Sequence, residues 1–169
     1  MENRGSAVLI LLLVVGACSW PLSDDQKTEL SKAVVRAHLD TVYSHYDEAP
    51  DSSYQRVILL KSPYLNARAA ADLRSDLRPP FTGIRTDSAD VEYIRKSTQN
   101  SEGEPFQYIG KVRDLKTGLP VREIIVDSIR GTAPDRATLH LYEADHAGSH
   151  YQGLKWWMVH ENGTWKPDS

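Results

Sequence analysis

The residue with the clearest potential for covalent chemistry is Cys18, the only cysteine in the 169-residue chain. It follows an unbroken apolar run over residues 7–15 and the small residues Gly16 and Ala17. Because no second cysteine exists, a disulfide within the chain is excluded. A lone cysteine directly after small residues that close an apolar leader predicts an acylated residue rather than a nucleophile.

The run Val15-Gly16-Ala17-Cys18 resembles the lipobox of bacterial lipoproteins. This resemblance implies that residues 1–17 are a signal peptide and that Cys18 becomes the lipid-bearing N-terminus. Ser19 then implies the outer membrane, with the protein facing the periplasm. The apolar run is far shorter than the roughly 20 residues of a membrane-spanning helix and has the length of a secretory leader. Ordinary secretion after cleavage at Ala17 and a retained anchor remain as alternatives.

A second candidate for chemistry is the run of histidines and carboxylates near the C-terminus. Its members are His140, Glu143, Asp145, His146 and His150. Imidazole and carboxylate groups could bind a borderline divalent metal. Glycine and serine within the run instead favour a solvated loop, which lacks the fixed geometry of a metal site. We therefore predict no metal here and no cofactor elsewhere.

The third candidate is His38, which lies on the apolar stripe of a predicted helix. A histidine there could act as a general acid or base in a cavity. The simpler interpretation is a histidine at the edge of the core with a hydrogen-bond partner. His45, two turns later, shares roughly the same side, and Asp40 is expected to face water.

A fourth group points to binding rather than catalysis. Strict alternation places Leu139, Leu141, Leu154, Trp156 and Met158 on one face of a predicted sheet. The opposite face then carries His140, Tyr142, Trp157 and Val159. Tryptophan and tyrosine are enriched at binding hot spots, so this face predicts a contact with a protein partner. Cover by a loop, a homodimer interface and scattered exposure are the alternatives.

Two helices and a set of strands must position these residues. Ser23 and Gln26 form a capping-box pattern ahead of about 20 residues with helical periodicity. Residues 62–63 (Ser-Pro) predict the start of a second helix, and a short third helix is predicted over 87–98. Alternation then predicts strands over 107–113, 121–129, 137–143, 154–161 and 164–166. Asn162-Gly163 predicts the last hairpin turn.

Helices followed by antiparallel strands indicate an α+β domain over residues 24–169, behind a short linker over 18–23. The long first helix, the Ser-Pro-Tyr-Leu run at 62–65 and the closing run at 159–166 (Val-His-Glu-Asn-Gly-Thr-Trp-Lys) resemble the nuclear transport factor 2-like fold. The resemblance is closest to bacterial lipoproteins that carry a domain of unknown function on it. It implies a curved, mainly antiparallel sheet that wraps helices around a conical cavity. That fold carries enzymes, small-molecule binders and protein-binding modules, so it names no activity.

Composition and motifs narrow the function further. The formal net charge is −3 with interspersed signs, so nucleic acid is not expected as a partner. Nucleophile-elbow, phosphate-loop and dinucleotide motifs are absent from the sequence. We predict a non-catalytic envelope lipoprotein, anchored through Cys18, that binds a protein partner or a second copy of itself; an inhibitor or immunity role fits this prediction. The alternative is a small-molecule binder or enzyme that uses the cone around His38.

Overall fold

The computed structural model describes residues 19–46, 55–99, 101–145 and 150–168. Within these ranges the side chains of six residues are not described: His45, Tyr46, Phe106, Asp145, His150 and Tyr151. Cys18, the leader before it and His146 lie outside the described residues.

The described residues form two α-helices and eight β-strands. In chain order these are α1 (Asp24–Tyr46), β1 (Arg56–Lys61), α2 (Ala67–Ser75), β2 (Phe81–Arg85), β3 (Val91–Gln99), β4 (Pro105–Asp114), β5 (Val121–Ala133), β6 (Arg136–Asp145), β7 (His150–Glu161) and β8 (Thr164–Pro167).

Six of the strands form one curled sheet in the order β2-β1-β5-β6-β7-β8. β1 is parallel to both β2 and β5, and the pairs from β5 to β8 are antiparallel. α1 packs across the sheet against β5, β7 and β8. β3 and β4 form a separate antiparallel hairpin. The predicted α+β architecture, with helices on a curved, mainly antiparallel sheet, is confirmed.

α1 begins as its sequence predicts. The backbone N–H of Ser23 donates to Gln26 Oε1 at 2.9 Å, and the Gln26 N–H donates to Ser23 Oγ at 3.2 Å. The backbone N–H groups of Ser23 and Gln26 thereby satisfy each other's side chains, as in a capping box. The predicted apolar stripe is buried against the sheet, with Leu30 and Val34 fully inaccessible. Burial of that stripe, more than intrinsic propensity, holds a helix of this length in place.

The second helix starts later than its sequence predicts. α2 is capped by Asn66, whose side chain accepts the Ala69 N–H at 2.9 Å, so the Ser-Pro pair at 62–63 precedes the helix. Ser62 Oγ instead accepts the Tyr64 N–H at 3.1 Å and forms a local turn. Ser62 and Asn66 are both suitable N-cap residues. Asn66 caps the helix, because its side chain accepts the N–H of the residue three positions later.

The predicted third helix is wrong. Asp87 caps only a single 3₁₀ turn over Ser88–Asp90, after which the chain enters β3. Val91 and Tyr93 of β3 pack with Val112 of β4 and the outer side of β1. Cross-strand packing against β4 therefore overrides a weak helical spacing.

Two strands, β1 and β2, have no counterpart among the sequence predictions. β1 is the continuous apolar run Val-Ile-Leu-Leu, and all four residues are buried. Ile58 and Leu60 join the core beneath α1, whereas Val57 and Leu59 join a second core beneath the β3–β4 hairpin. A strand buried on both faces shows no alternation, so its pattern does not distinguish it from a helical segment.

The C-terminal strands are confirmed. Ala137, Leu139, Leu141 and Met158 are all buried on the helix side of the sheet. Asn162 and Gly163 both have positive φ, 52° and 78°, as a two-residue hairpin turn requires.

Candidate ligand-binding cavity

A cavity of about 590 Å³ lies between the C-terminal half of α1 and the helix-facing side of the sheet. Its walls combine apolar and polar side chains. They are His38, Thr41, Val42, Arg122, Glu143, Gln152, Leu154 and Trp156. A mainly apolar concavity with a few convergent polar groups is the usual form of a small-molecule site.

The polar groups reach the cavity because each continues an apolar pattern. His38 follows Leu30 and Val34 on the buried stripe of α1. On β6, Glu143 occupies the inward position that follows Leu139 and Leu141 in the alternation. Charged or polar residues at positions where the pattern requires apolar ones are the sequence signal for this site.

Glu143 connects His38 and Arg122 across the cavity wall. Its Oε2 lies 2.7 Å from His38 Nε2, and its Oε1 lies 2.9 Å from Arg122 Nε. All three side chains are largely withdrawn from solvent, with exposed fractions of 4% for His38, 13% for Glu143 and 11% for Arg122. The carboxylate thus has a partner on each oxygen, and the charge of Arg122 is compensated inside the wall.

Trp156 forms the floor of the same site. Its ring meets the His38 imidazole edge-on, with centroids 6.4 Å apart and an interplanar angle of 88°. Its indole Nε1 is buried, and within the described part of the chain it has no hydrogen-bond partner. An indole N–H can only donate.

His38 is 3% exposed, lies beside the Glu143 carboxylate and lines the cavity. Asp40 faces outward, as expected, and pairs with Arg78 at 2.8 Å. Glu143 was considered in the sequence only as a metal ligand. Arg122 and Trp156 were not predicted as site residues.

The histidine and carboxylate run around β6 is divided by the sheet. His140 is exposed on the outer face, whereas Glu143 points to the cavity on the inner face. Among the described residues, no group of three or more His, Cys, Asp or Glu side chains is arranged to hold a metal.

The outer face of β6 and β7 carries an aromatic group formed by His140, Tyr142 and Trp157, which we call the outer aromatic surface. Trp157 is 55% exposed, and Lys155 Nζ lies 5.2 Å from its ring centroid. Tyr142 lies over Gly153, where a Cβ would meet its ring at 3.1 Å. Val159 was predicted on this exposed face, but it is only 6% exposed, so the open surface is smaller than predicted.

Two polar clusters outside the cavity hold the β3–β4 hairpin and its neighbours. In the first, Asp114 is fully buried, and Arg85 meets both of its oxygens at 2.7 and 3.0 Å. The backbone and hydroxyl of Thr117 also donate to Asp114 Oδ2, at 2.8 and 2.6 Å. Burial alone would raise the pKa of Asp114, but the Thr117 hydrogen bonds and the Arg85 charge outweigh it and lower that pKa.

In the second cluster, Lys61 and Tyr93 both donate to Glu123 Oε1, each at 2.7 Å, and Lys61 also donates to the Tyr93 hydroxyl at 2.9 Å. Burial raises the pKa of Tyr93, and its hydrogen bond to Glu123 raises it further. Burial opposes protonation of Lys61, yet the hydrogen bonds to Glu123 and Tyr93 raise its pKa overall. Neither cluster lines the cavity.

Comparison with known protein families, with curated proteins and with solved structures finds no match to this chain. None of the helices in the described part of the chain is long and apolar enough to cross a bilayer.

Proposed function

We propose that this chain is a bacterial envelope lipoprotein, acylated at Cys18, whose α+β domain binds a small molecule without catalysis. The observation that carries the binding proposal is the cavity itself. Polar groups from α1, β5 and β6 converge in it, and Val42, Leu154 and Trp156 supply apolar walls. Such a combination favours a small ligand over a protein as the principal target.

The shape of the domain supports a nuclear transport factor 2-like cone. A long first helix lies against a curled sheet, and the cavity lies between them rather than on the outer surface. This is where the fold named from the sequence resemblance would hold a ligand.

The charges in the wall define the chemistry of the ligand. Arg122 and Glu143 compensate each other, so a bound molecule need not carry a balancing charge. Val42, Leu154 and Trp156 supply apolar walls, so we propose a mainly apolar, uncharged molecule.

Filling the cavity tests this proposal. The intact lipoprotein is purified from membranes, extracted with organic solvent and analysed by mass spectrometry for bound compounds. Leu154→Trp should occupy the cavity and reduce any specific compound at least tenfold. Leu115→Trp is the matched control, because Leu115 is 62% exposed and lies outside the cavity. Equal recovery of the same compounds from both variants would contradict a ligand in this cavity.

The outer aromatic surface supports a second candidate function, contact with an envelope protein or a second copy of the chain. A tryptophan that is 55% exposed on a sheet face is the observation that favours it. Trp157→Ala should weaken that contact by about 2 kcal/mol and leave the melting temperature nearly unchanged. Sedimentation measures self-association, and cross-linking in whole envelopes measures partner capture; no change in either would exclude this surface.

A further inference from the structure

The segment directly after the proposed lipid attachment site is fixed to the sheet. Trp20 forms an isolated antiparallel bridge with Gly131, and its N–H donates to the Gly131 carbonyl at 2.9 Å. Gly131 lies in the part of β5 beyond its pairing with β1, which ends at Ile125. Trp20 therefore occupies a strand edge that would otherwise be unpaired.

Gly131 is required for this bridge. A Cβ at that position would lie 2.4 Å from the Trp20 carbonyl oxygen and 3.1 Å from the Leu22 side chain. A backbone atom cannot yield to such a contact without moving the segment. Any side chain at residue 131 should therefore displace Trp20 from the sheet.

The side chain of Trp20 remains available despite the bridge. It is 47% exposed, and its neighbours Ser19 and Pro21 are also exposed. Trp20 follows Cys18 by two residues, a reach of about 7 Å at most. Tryptophan favours the boundary between headgroups and acyl chains, because its ring is apolar and its N–H needs a polar partner.

The cavity lies at the opposite end of the domain. The helical rise places His38 roughly 22 Å along α1 from Ser23. On β5, the strand rise places Arg122 roughly 30 Å from Gly131. Along both elements, the cavity thus lies roughly 20–30 Å from the end of the domain that carries the bridge.

We infer that Trp20 inserts into the headgroup region of the bilayer and that its bridge to Gly131 orients the domain with the cavity away from the membrane. This inference rests on the proposed lipid attachment at Cys18. The bridge leaves only Ser19 as a free linker, so the domain stands on the bilayer in one orientation. The cavity then receives its ligand from the aqueous side and not from the lipid phase.

Fluorescence quenching by lipids tests the insertion. The intact lipoprotein is reconstituted into phosphatidylcholine vesicles that contain a brominated phosphatidylcholine. Part of the tryptophan emission should be quenched, and that part should disappear in Trp20→Phe but persist in Trp157→Phe. Trp157 is a suitable control because it is the more exposed of the two side chains, at 55%. Equal quenching in the wild type and Trp20→Phe would overturn the inference.

The role of the bridge has its own test. With Cys18 acylated, a fluorescent thiol label on Gln152→Cys, in the cavity wall, should escape quenching by the brominated lipid. Adding Gly131→Ala should make that label quenchable, whereas adding Gly83→Ala should not, since a Cβ at Gly83 meets nothing closer than 3.5 Å. A label that stays unquenched in Gly131→Ala would show that the bridge does not set the orientation. A melting curve for each variant separates loss of the bridge from loss of the fold.

Failure of lipidation is distinguishable from failure of the orientation. If mass spectrometry finds no fatty acid on the protein, the chain from Cys18 onward is coupled through its only thiol to a maleimide-bearing phospholipid in the same vesicles. Quenching of Trp20 in that sample would support its insertion even though the natural anchor is absent. No quenching there would overturn it.

Discussion

His38 on α1 and Glu143 on β6 meet at 2.7 Å across the wall of the cavity, and the same carboxylate contacts Arg122 on β5. One carboxylate thereby ties the helix to two strands of the sheet. The link lies within the buried stripe of α1, between Val34 and Val42 of the core. Its loss should affect both the stability of the domain and the shape of the site.

Replacing Glu143 by Gln should lower the free energy of unfolding by about 3 kcal/mol, because Arg122 would keep its charge opposite a neutral amide in a mostly buried wall. Chemical denaturation measures the change. Glu161→Gln is the control: its partner Lys166 and Glu161 are both about half exposed, and the loss should be below about 1 kcal/mol. Adding Arg122→Met to Glu143→Gln should recover part of the stability; a strictly additive double variant would contradict the coupling.

Asp114 should make the domain sensitive to acid. Its pKa is lowered in the folded state, so the stabilisation is complete above the ordinary value of 3.8 and is lost as the pH falls through the folded pKa. Asp114→Asn should be less stable than the wild type at pH 7, by about 3 kcal/mol. The difference between their melting temperatures should narrow as the pH falls below 4. A constant difference down to pH 2 would contradict this assignment.

The Lys61–Tyr93–Glu123 cluster should make the domain sensitive to alkali. Both raised pKa values mean that the folded state holds its protons more tightly than the unfolded state. The stabilisation is therefore present at a pH below the ordinary pKa values, 10.0 for Tyr93 and 10.5 for Lys61. It is lost as the pH rises through the higher pKa values of the folded state. Tyr93→Phe should lower the free energy of unfolding by about 1 kcal/mol at pH 7 and make its decline above pH 10 less steep. The same alkaline decline in both proteins would argue against the cluster.

The turn at Asn162-Gly163 gives a prediction about backbone strain. Gly163→Val should destabilise the domain by about 1–2 kcal/mol, since a β-branched side chain is strained at a φ of 78°. Asn162→Gly is the control, because glycine accepts the positive φ of that position without cost. Calorimetry gives the melting temperatures of the two variants. Equal values would show that the turn accommodates valine without strain.

The proposed anchor is tested by Cys18→Ser. Without the thiol, acylation cannot occur, and the protein should move from the membrane fraction to the soluble fraction of cell extracts. Its melting temperature should be unchanged relative to the delipidated wild type. A wild-type protein without fatty acid, found in the membrane fraction both before and after the substitution, would contradict the proposal.

Much of this architecture could be predicted from local patterns. The capping box at Ser23, the stripe that carries His38 and the alternation of Leu139 and Leu141 each have one dominant periodicity, and each prediction is confirmed. The second helix start at residues 62–63 could not be predicted correctly, because Asn66 offers a competing cap. β1 could not be assigned, because burial on both faces removes the period that identifies a strand.

The cavity was only partly predictable. His38 was singled out by its place on the apolar stripe, but its contact with Glu143 depends on how α1 crosses the sheet. That crossing is set by packing of the whole core, which involves residues far apart in the sequence. Trp156 was assigned to the core because its position in β7 is inward, and the same position places it on the floor of the cavity.

The parallel pairing of β1 has a consequence for the order in which the chain can assemble. Val57 of β1 pairs with Val121 of β5, so β1 lacks its second neighbouring strand until β5 has been synthesised. Contacts between residues this far apart in the chain form slowly, because a long loop must first be closed. A partly synthesised chain that ends before β5 therefore cannot complete either core. The domain can therefore collapse only once most of the chain is present.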